Sequence, residues 1–510
     1  MRKYFSFFVV AAFLALPAVS SAAASPNFEV TGWIPYWRTA TGTADVLPHL
    51  NELTEVNPFV YTIKSDGTFV DNGPLNTEPW TSFIAAAHAQ NVRVIPSIMT
   101  SNSSLVHTLL SDTVQRNALQ DRIVALVNAN NFDGIDIDFE GKSADDKDYF
   151  SAFLQGLHDR LGNKFLMCTI EARTPIDARY YGTEVPPDAD IFANDLPKIN
   201  QFCDRVRIMT YDQQGIDLQL AAQAESGGQL YAPVADPAWV TKVVNLMAKD
   251  IDRSKMLIGV PTYGYEYDVT AYANNQYTYN ILWTFNPGYA TPIAAQYGII
   301  PSRNAAGELF FSYTPTSSST APTAYNNSAS VAAAASLYAT QYNSHLNFRL
   351  MDWPDAQSVQ TKIDLARSLG VRGISIFKFD GGEDQNIWNV LNGVKGTTES
   401  KVTVTTPTPT TPTPTPTPST PVAGTLSRGL GIGTVNAQVR ILQQILNKDA
   451  GTRVSASGVG SSGHETTYFG PATLKAVQKF QIKYGIAKPG NAGYGYVGPA
   501  TRAKMNSLSA

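Results

Sequence analysis

Eight short apolar runs between residues 30 and 379, separated by longer amphipathic stretches, constrain this chain more than any other feature. They read "VTGWIPYW", "VNPFVYTI", "VRVIPSIM", "FDGIDIDF", "FLMCTIEA", "VRIMTYD", "MLIGVPTYG" and "GISIFKF". Enrichment in Val, Ile, Tyr and Phe marks strands. Helix-like segments such as "TSFIAAAHAQN", "ALQDRIVALVNANN" and "AQSVQTKIDLARSLG" lie between several of them. Strands alternating with helices pair in parallel through right-handed crossovers, and eight such strands close a (β/α)8 TIM barrel. An open doubly wound sheet is the competing arrangement, but no GxGxxG follows the first strand. The stretch from about Tyr265 to Arg349 breaks the alternation. It is rich in Tyr and Asn, with strand-like pieces "LFFSY" and "FRLMDW". It reads as a small α+β insertion before the last strand, where it would wall one side of a cleft on the catalytic face.

The 510 residues allow more than one domain. Composition breaks within residues 397–423 at "TTPTPTPTPSTP". Alternating Pro and Thr excludes helix and sheet interior and favours extended polyproline II. Roughly 20 such residues at about 3.1 Å each span up to about 60 Å, the reach of a tether. Residues 25–396 then form the barrel domain and 424–510 a small all-α domain. Residues 1–24 read as a secretory signal: Arg2 and Lys3, the apolar "FSFFVVAAFLALPAV", then small residues at Ala22 to Ala24. An uncleaved anchor is the alternative. Export permits a disulfide between Cys168 and Cys203, although two buried thiols on neighbouring strands fit equally. The net charge of −4 provides no basic stripe for nucleic acid or an anionic membrane.

The fourth run carries the chemistry. In "NFDGIDIDFEGK", Asp136, Asp138 and Glu140 alternate with Ile135, Ile137 and Phe139, so on a strand the three carboxylates share one face. At the C-terminal end of a barrel strand that face points into the active-site mouth. Asp136 and Asp138 side by side can share a proton, and Asp138 can raise the pKa of Glu140. A carboxylic acid kept protonated near neutrality suits general acid catalysis at a glycosidic oxygen. Two other uses of the triplet remain open at this point: a Mg²⁺ or Ca²⁺ site, and a structural network with barrel Arg and Lys.

Asp133, Asp136, Asp138 and Glu140 spell D-x-x-D-x-D-x-E, which resembles the signature of family 18 glycoside hydrolases, the chitinase-like enzymes, over roughly residues 28–395. "MTYDQQG" supplies Met209, Tyr211 and Asp212, matching that family's M-x-Y-D element. "GWIPYW", "PTYGYEYD" and "DWPDAQSVQTKIDLARSLGVRGISIF" are more similar to the spore-cortex and cell-wall lytic glucosaminidase branch. The resemblance implies substrate-assisted retention. In it Glu140 is the acid/base, Asp138 orients the acetamido group, and Asp136 accepts or shares its proton. Tyr211 holds the acetamido carbonyl, and Asp212 helps hold the sugar beside Met209. Two departures stand out: "PSIMTSN" replaces S-x-G-G on the third strand, and Phe377 replaces the usual Trp floor on the eighth. Phe stacks on a sugar face with less area and no N–H donor. Tyr36, Trp37 and Tyr263, at strand ends, line the sugar subsites or pack in the core. The resemblance implies neither cofactor nor metal.

Beyond the tether, over residues 426–508, "TVNAQVRILQQILN" and "GPATLKAVQKFQIKYG" have apolar residues at helical spacing, and "YFGPAT" and "YVGPAT" recur with Pro at a helix start. The segment resembles the peptidoglycan-binding type 1 domain; His464 stands alone, without a Zn signature. The expectation is therefore a monomeric, metal-independent glycosidase, secreted or held in the cell wall or periplasm. Its partner is peptidoglycan or a chitin-like polysaccharide, with no nucleic acid and no membrane beyond the signal segment. A chitinase and a non-catalytic carbohydrate-binding barrel are the rival readings.

Overall fold

A computed structural model describes residues 27–315, 328–397, 426, 429–431, 437–458, 460–467, 469–489 and 493–508. The expected signal segment and the Pro/Thr tract from 398 onward lie outside the described residues. All eight anticipated runs form strands of one parallel barrel. These are β1 (Glu29–Pro35), β2 (Glu55–Ile63), β3 (Ser97–Thr100), β4 (Gly134–Phe139), β5 (Phe165–Glu171), β6 (Arg205–Met209) and β7 (Met256–Pro261), with Gly373–Phe377 as the eighth. Each pairs in parallel with the next, and β1 pairs both with β2 and with Gly373–Phe377, so the ring closes without an edge.

The insertion leaves the barrel just after β7. Its strands β8 (Gly264–Tyr272), β9 (Gln276–Phe285), β10 (Leu309–Tyr313) and β11 (Leu346–Trp353) form an antiparallel sheet in the order β9-β8-β11-β10. The last barrel strand, Gly373–Phe377, is therefore β12. Strand pairing thus extends the insertion a few residues beyond the expected 265–349, because β11 continues through Trp353 opposite Leu309.

Aspartates cap several of the helices that pack around the barrel. Asp112 accepts hydrogen bonds from the backbone N–H of Val114 and Gln115 at 2.8 and 2.9 Å and caps α1 (Thr113–Ala129). After α2 (Lys147–Leu161), Asp195 caps α3 (Leu196–Phe202), Asp236 caps α4 (Pro237–Met247) and Asp355 caps α5 (Ala356–Ser368) in the same way. Each cap satisfies orphan donors and is worth about 1 kcal/mol. The outward face of β4 explains its apolar residues. Ile135, Ile137 and Phe139 are buried, and Phe139 stacks on Phe153 of α2 with centroids 5.6 Å apart. Burying such side chains stabilises by roughly 1.5–3 kcal/mol each.

At the N-terminal end of the barrel, Glu29 receives Arg205 (2.8 Å), Arg372 (3.1 Å) and Arg93 (3.3 Å). Glu55 pairs with Arg93 at 3.0 Å and with Arg207. Cys168 on β5 and Cys203, the residue after α3, are joined as a disulfide with Cα atoms 6.0 Å apart. The structure thus selects the bridge over the two thiols.

The C-terminal unit, taken by itself, contains α6 (Ala437–Asn447), α7 (Pro471–Lys483) and α8 (Pro499–Ser507). Pro471 and Pro499 each follow a glycine N-cap, so the two G-P-A-T repeats are equivalent helix starts. A buried glutamine pins the turn before each start. Gln443 accepts from Thr466 N–H (2.7 Å) and donates to Thr473 (2.9 Å). Gln481 accepts from Gly495 N–H (2.6 Å) and donates to Tyr496 O (2.9 Å). His464 lies in a loop.

Candidate active site

Asp136 and Asp138 of β4 and Glu140 just after it have different surroundings. Asp136 is fully buried and accepts from Ser97 Oγ (2.6 Å) and Thr169 Oγ1 (2.9 Å), while Arg207 Nη1 lies 2.9 Å from Oδ2. Ser97 in turn accepts from Trp33 Nε1 at 2.9 Å. Asp136 therefore occupies the structural network that was one of the open alternatives. Asp138, one step up the strand, is buried, and its Oδ1 has no hydrogen-bond partner among the described residues. Burial, and then the charges of Glu140 and Asp136, push its pKa far above the ordinary carboxyl range.

Glu140 follows β4 directly, its N–H donating to Thr100 O at 2.9 Å, and it remains partly exposed at the barrel mouth. Its pKa is raised first by burial and then by the charges of Glu171 and Asp212. Asp138 and Glu140 also repel each other, as the sequence pattern anticipates, and Glu171 and Asp212 add to that repulsion from other strand ends. Glu171 ends β5, accepting from Gly141 N–H and Asn194 Nδ2 at 2.9 Å each, with Lys142 Nζ 3.8 Å away. Asp133 of the motif sits below the site, accepting from Val94 N–H at 2.7 Å beside His88 at 3.1 Å.

The second anticipated element closes around these acids. Met209 ends β6, and Tyr211 follows it, buried. Burial and then the charge of Asp138 hold its hydroxyl well above the usual tyrosine range. Gly259 of β7 leaves room for the ring: a Cβ there would lie 2.6 Å from Tyr211 Cε1. Asp212 adopts φ 56°, a left-handed conformation that Asp tolerates, and it accepts from the hydroxyls of Tyr263 and Tyr265. Tyr263 is thus both buried and part of the site.

Phe377 ends β12 and stacks on Tyr211, with centroids 5.7 Å apart and 26° between planes. Trp33, Phe59 and Tyr263 approach its edges at 5.8, 6.0 and 6.0 Å. Tyr36 and Trp37 lie beyond β1 with 40% and 49% of their surfaces exposed, which settles against core packing for both. Among the described residues no group of three or more His, Cys, Asp or Glu side chains is arranged to hold a metal ion.

The sequence reading missed Glu171, Lys142, Tyr265 and Arg207. Glu171 and Tyr265 carried a signal, since "CTIEA" ends a barrel strand and Tyr265 alternates with Tyr263. Arg207 carried none, because its role depends on Asp136 and Glu55 lying two strands and four strands away around the ring.

This geometry accords with comparisons to known proteins. The family model described as "Glycosyl hydrolases family 18" matches residues 29–382, and that described as "Putative peptidoglycan binding domain" matches residues 435–505. The chain is 23% identical over 358 residues to the "Uncharacterized glycosylase YvbX" of Bacillus subtilis (strain 168), covering 68% of this chain and 88% of that protein. It is similar in fold to the spore cortex-lytic enzyme SleL of Bacillus megaterium QM B1551, with TM-score 0.53, 19% identity and coverage of 75% and 77%. The Bacillus cereus spore cortex-lytic enzyme SleL gives TM-score 0.54, 17% identity and coverage of 74% and 76%.

Proposed function

The chain belongs to the glycosyl hydrolases of family 18, and from that premise we propose that it is an exported glycosidase. It cleaves β-1,4 linkages of N-acetylglucosamine in peptidoglycan by substrate-assisted retention. One observation carries the reading: Asp138 and Glu140, both pushed toward the protonated form, lie close enough to Tyr211 for their charges to act on its hydroxyl, and Tyr211 stacks on Phe377.

The reacting sugar lies on Phe377. Its acetamido N–H meets Asp138 Oδ1, a buried acceptor without a protein donor, while Tyr211 donates to the acetamido carbonyl. That orientation aims the carbonyl oxygen at the anomeric carbon. As the new C–O bond forms, the glycosidic C–O bond breaks and its electron pair takes the proton of Glu140. As positive charge develops, Asp138 passes its proton toward Asp136, and the carboxylate so formed stabilises the oxazolinium cation. Glu140, now a carboxylate, removes a proton from water, which opens the ring with overall retention. Asp212, held by Tyr263 and Tyr265, positions the sugar.

The polymer is inferred from the peptidoglycan-binding module. The named actions of the spore cortex-lytic relatives point the same way, toward work at a cell wall outside the membrane. Product analysis on purified peptidoglycan beside chitin oligosaccharides tests the reading. New reducing ends on N-acetylglucosamine released from peptidoglycan are expected; cleavage of chitin alone would make the protein a chitinase.

A further inference from the structure

We infer that a cavity beside Glu140 is a leaving-group subsite for a carboxylate-bearing sugar, with Arg173 and Arg179 as its anion-binding groups. This rests on the glycosidase reading above and deepens it by naming the class of sugar beyond the scissile bond.

The cavity measures about 230 Å³ and is lined by Lys142, Glu171, Arg173, Arg179, Phe192 and Asn194, among others. Its position follows from the barrel. β12 and β4 lie four strands apart either way around the ring, so Phe377 and Glu140 face each other across the mouth. The reacting sugar on Phe377 presents its glycosidic oxygen to Glu140, and the leaving sugar lies beyond Glu140, over the segments that follow β4 and β5. The cavity is bounded by those segments. Glu171, one of its lining residues, acts on Glu140 through its charge, and its Oε1 accepts from Gly141 N–H at 2.9 Å.

The charges of this cavity are not balanced from within. Among the lining residues, Lys142, Arg173 and Arg179 against Glu171 leave a formal excess of two positive charges, which Asp250, acting on Arg173 from outside the lining, offsets only in part. The oxygens of Glu171 are already used by Gly141 and Asn194, and Lys142 Nζ is turned to Phe139 O. The guanidinium of Arg173 stacks on Phe192 at 3.5 Å and gives one hydrogen bond, to Asn194 O at 3.3 Å. Arg179 lies 5.7 Å from the ring of Tyr180. Neither arginine forms an ion pair among the described residues. Two guanidiniums, one of them fixed by stacking, suit a carboxylate. Chitin offers none. In peptidoglycan the neighbouring muramic acid bears a lactyl carboxylate, or acidic residues when that lactyl group carries a stem peptide.

The full-length Glu140→Gln protein, alone and with Arg173→Gln and Arg179→Gln added, is titrated calorimetrically with three ligands. These are peptide-free glycan with free lactyl carboxylates, the same glycan with those carboxylates converted to amides, and glycan carrying stem peptides. The wall-binding module is common to both proteins, so differences between them report the arginines. The acid form is expected to bind at least about tenfold more tightly than the amide, the size of a charge-assisted hydrogen bond, and the arginine changes should bring that ratio near one. Arg173→Lys, which keeps the charge and part of the stacking, should retain some of the preference and guards against a folding artefact. A preference only for stem-peptide glycan would assign the carboxylate to the peptide. Equal affinity for acid and amide, or a ratio indifferent to the arginines, overturns the proposal. If the wild-type protein binds these glycans with the expected ratio yet hydrolyses none, the glycosidase reading fails and the cavity stands as a carboxylate-sugar binding site only.

Discussion

Three carboxylates on one strand face acquire three different tasks because each meets different neighbours. Asp136 is claimed by Ser97, Thr169 and Arg207, Asp138 is buried without a donor on Oδ1, and Glu140 reaches the mouth. Glu140→Gln should retain fold and sugar binding while losing at least ~10²-fold in turnover on soluble oligosaccharides. Near-normal rates would place the acid elsewhere. Glu171 disfavours ionisation of Glu140, so the active protonated acid persists to higher pH. Replacing Glu171 by Gln removes that charge and should move the alkaline limb of kcat/KM to lower pH, read from a pH–rate profile; a shift upward would contradict the assignment. With the acids used in this way, exhaustive EDTA treatment should leave hydrolysis intact. Activity lost to EDTA and restored by Mg²⁺ or Ca²⁺ would return the triplet to metal binding.

Strands and helices supply the frame through buried charge as much as through apolar packing. Burial raises the pKa of Glu29, but Arg93, Arg205 and Arg372 outweigh it and hold it at about 2, against 4.5 for the ordinary group. A depressed folded-state pKa means the contribution is complete above 4.5 and is lost as pH falls from there toward 2. The shift corresponds to roughly 3 kcal/mol. Urea unfolding followed by circular dichroism should therefore show a steep stability loss below about pH 4.5. Glu29→Gln should flatten that loss and cost about 3–5 kcal/mol near neutrality, because three guanidiniums lose their shared partner. Between β5 and the segment after α3, the Cys168–Cys203 bridge closes a separation of 35 residues. On the chain-entropy account, reducing it should cost roughly 3–4 kcal/mol.

At the scale of the whole molecule, we propose that the Pro/Thr tract acts as a tether, so that the binding module raises the local concentration of the barrel at its polymer. Deleting residues 426–508 should leave turnover of small soluble substrates unchanged, since no acid of the site lies beyond the tract, while activity on insoluble sacculi falls. The isolated module should co-sediment with peptidoglycan and poorly with chitin. Loss of soluble activity on truncation would make the module part of the catalytic fold.

Strand number, strand order, the insertion and the shared face of the acids were all legible in the chain. Each depends on local periodicity, and alternation along a strand sets which side chains point together whatever the partner. The helix starts at Pro471 and Pro499 were legible for the same reason, being written in adjacent residues. What the tertiary structure alone decided is which neighbours each acid meets. Arg207 reaches Asp136 across the barrel, burial and the charges of Glu171 and Asp212 raise the proton affinity of Glu140, and Gly259 makes room for Tyr211. These are through-space effects between residues tens of positions apart. Burial and Coulomb interactions depend on distance in the fold, and the sequence orders residues by a different distance.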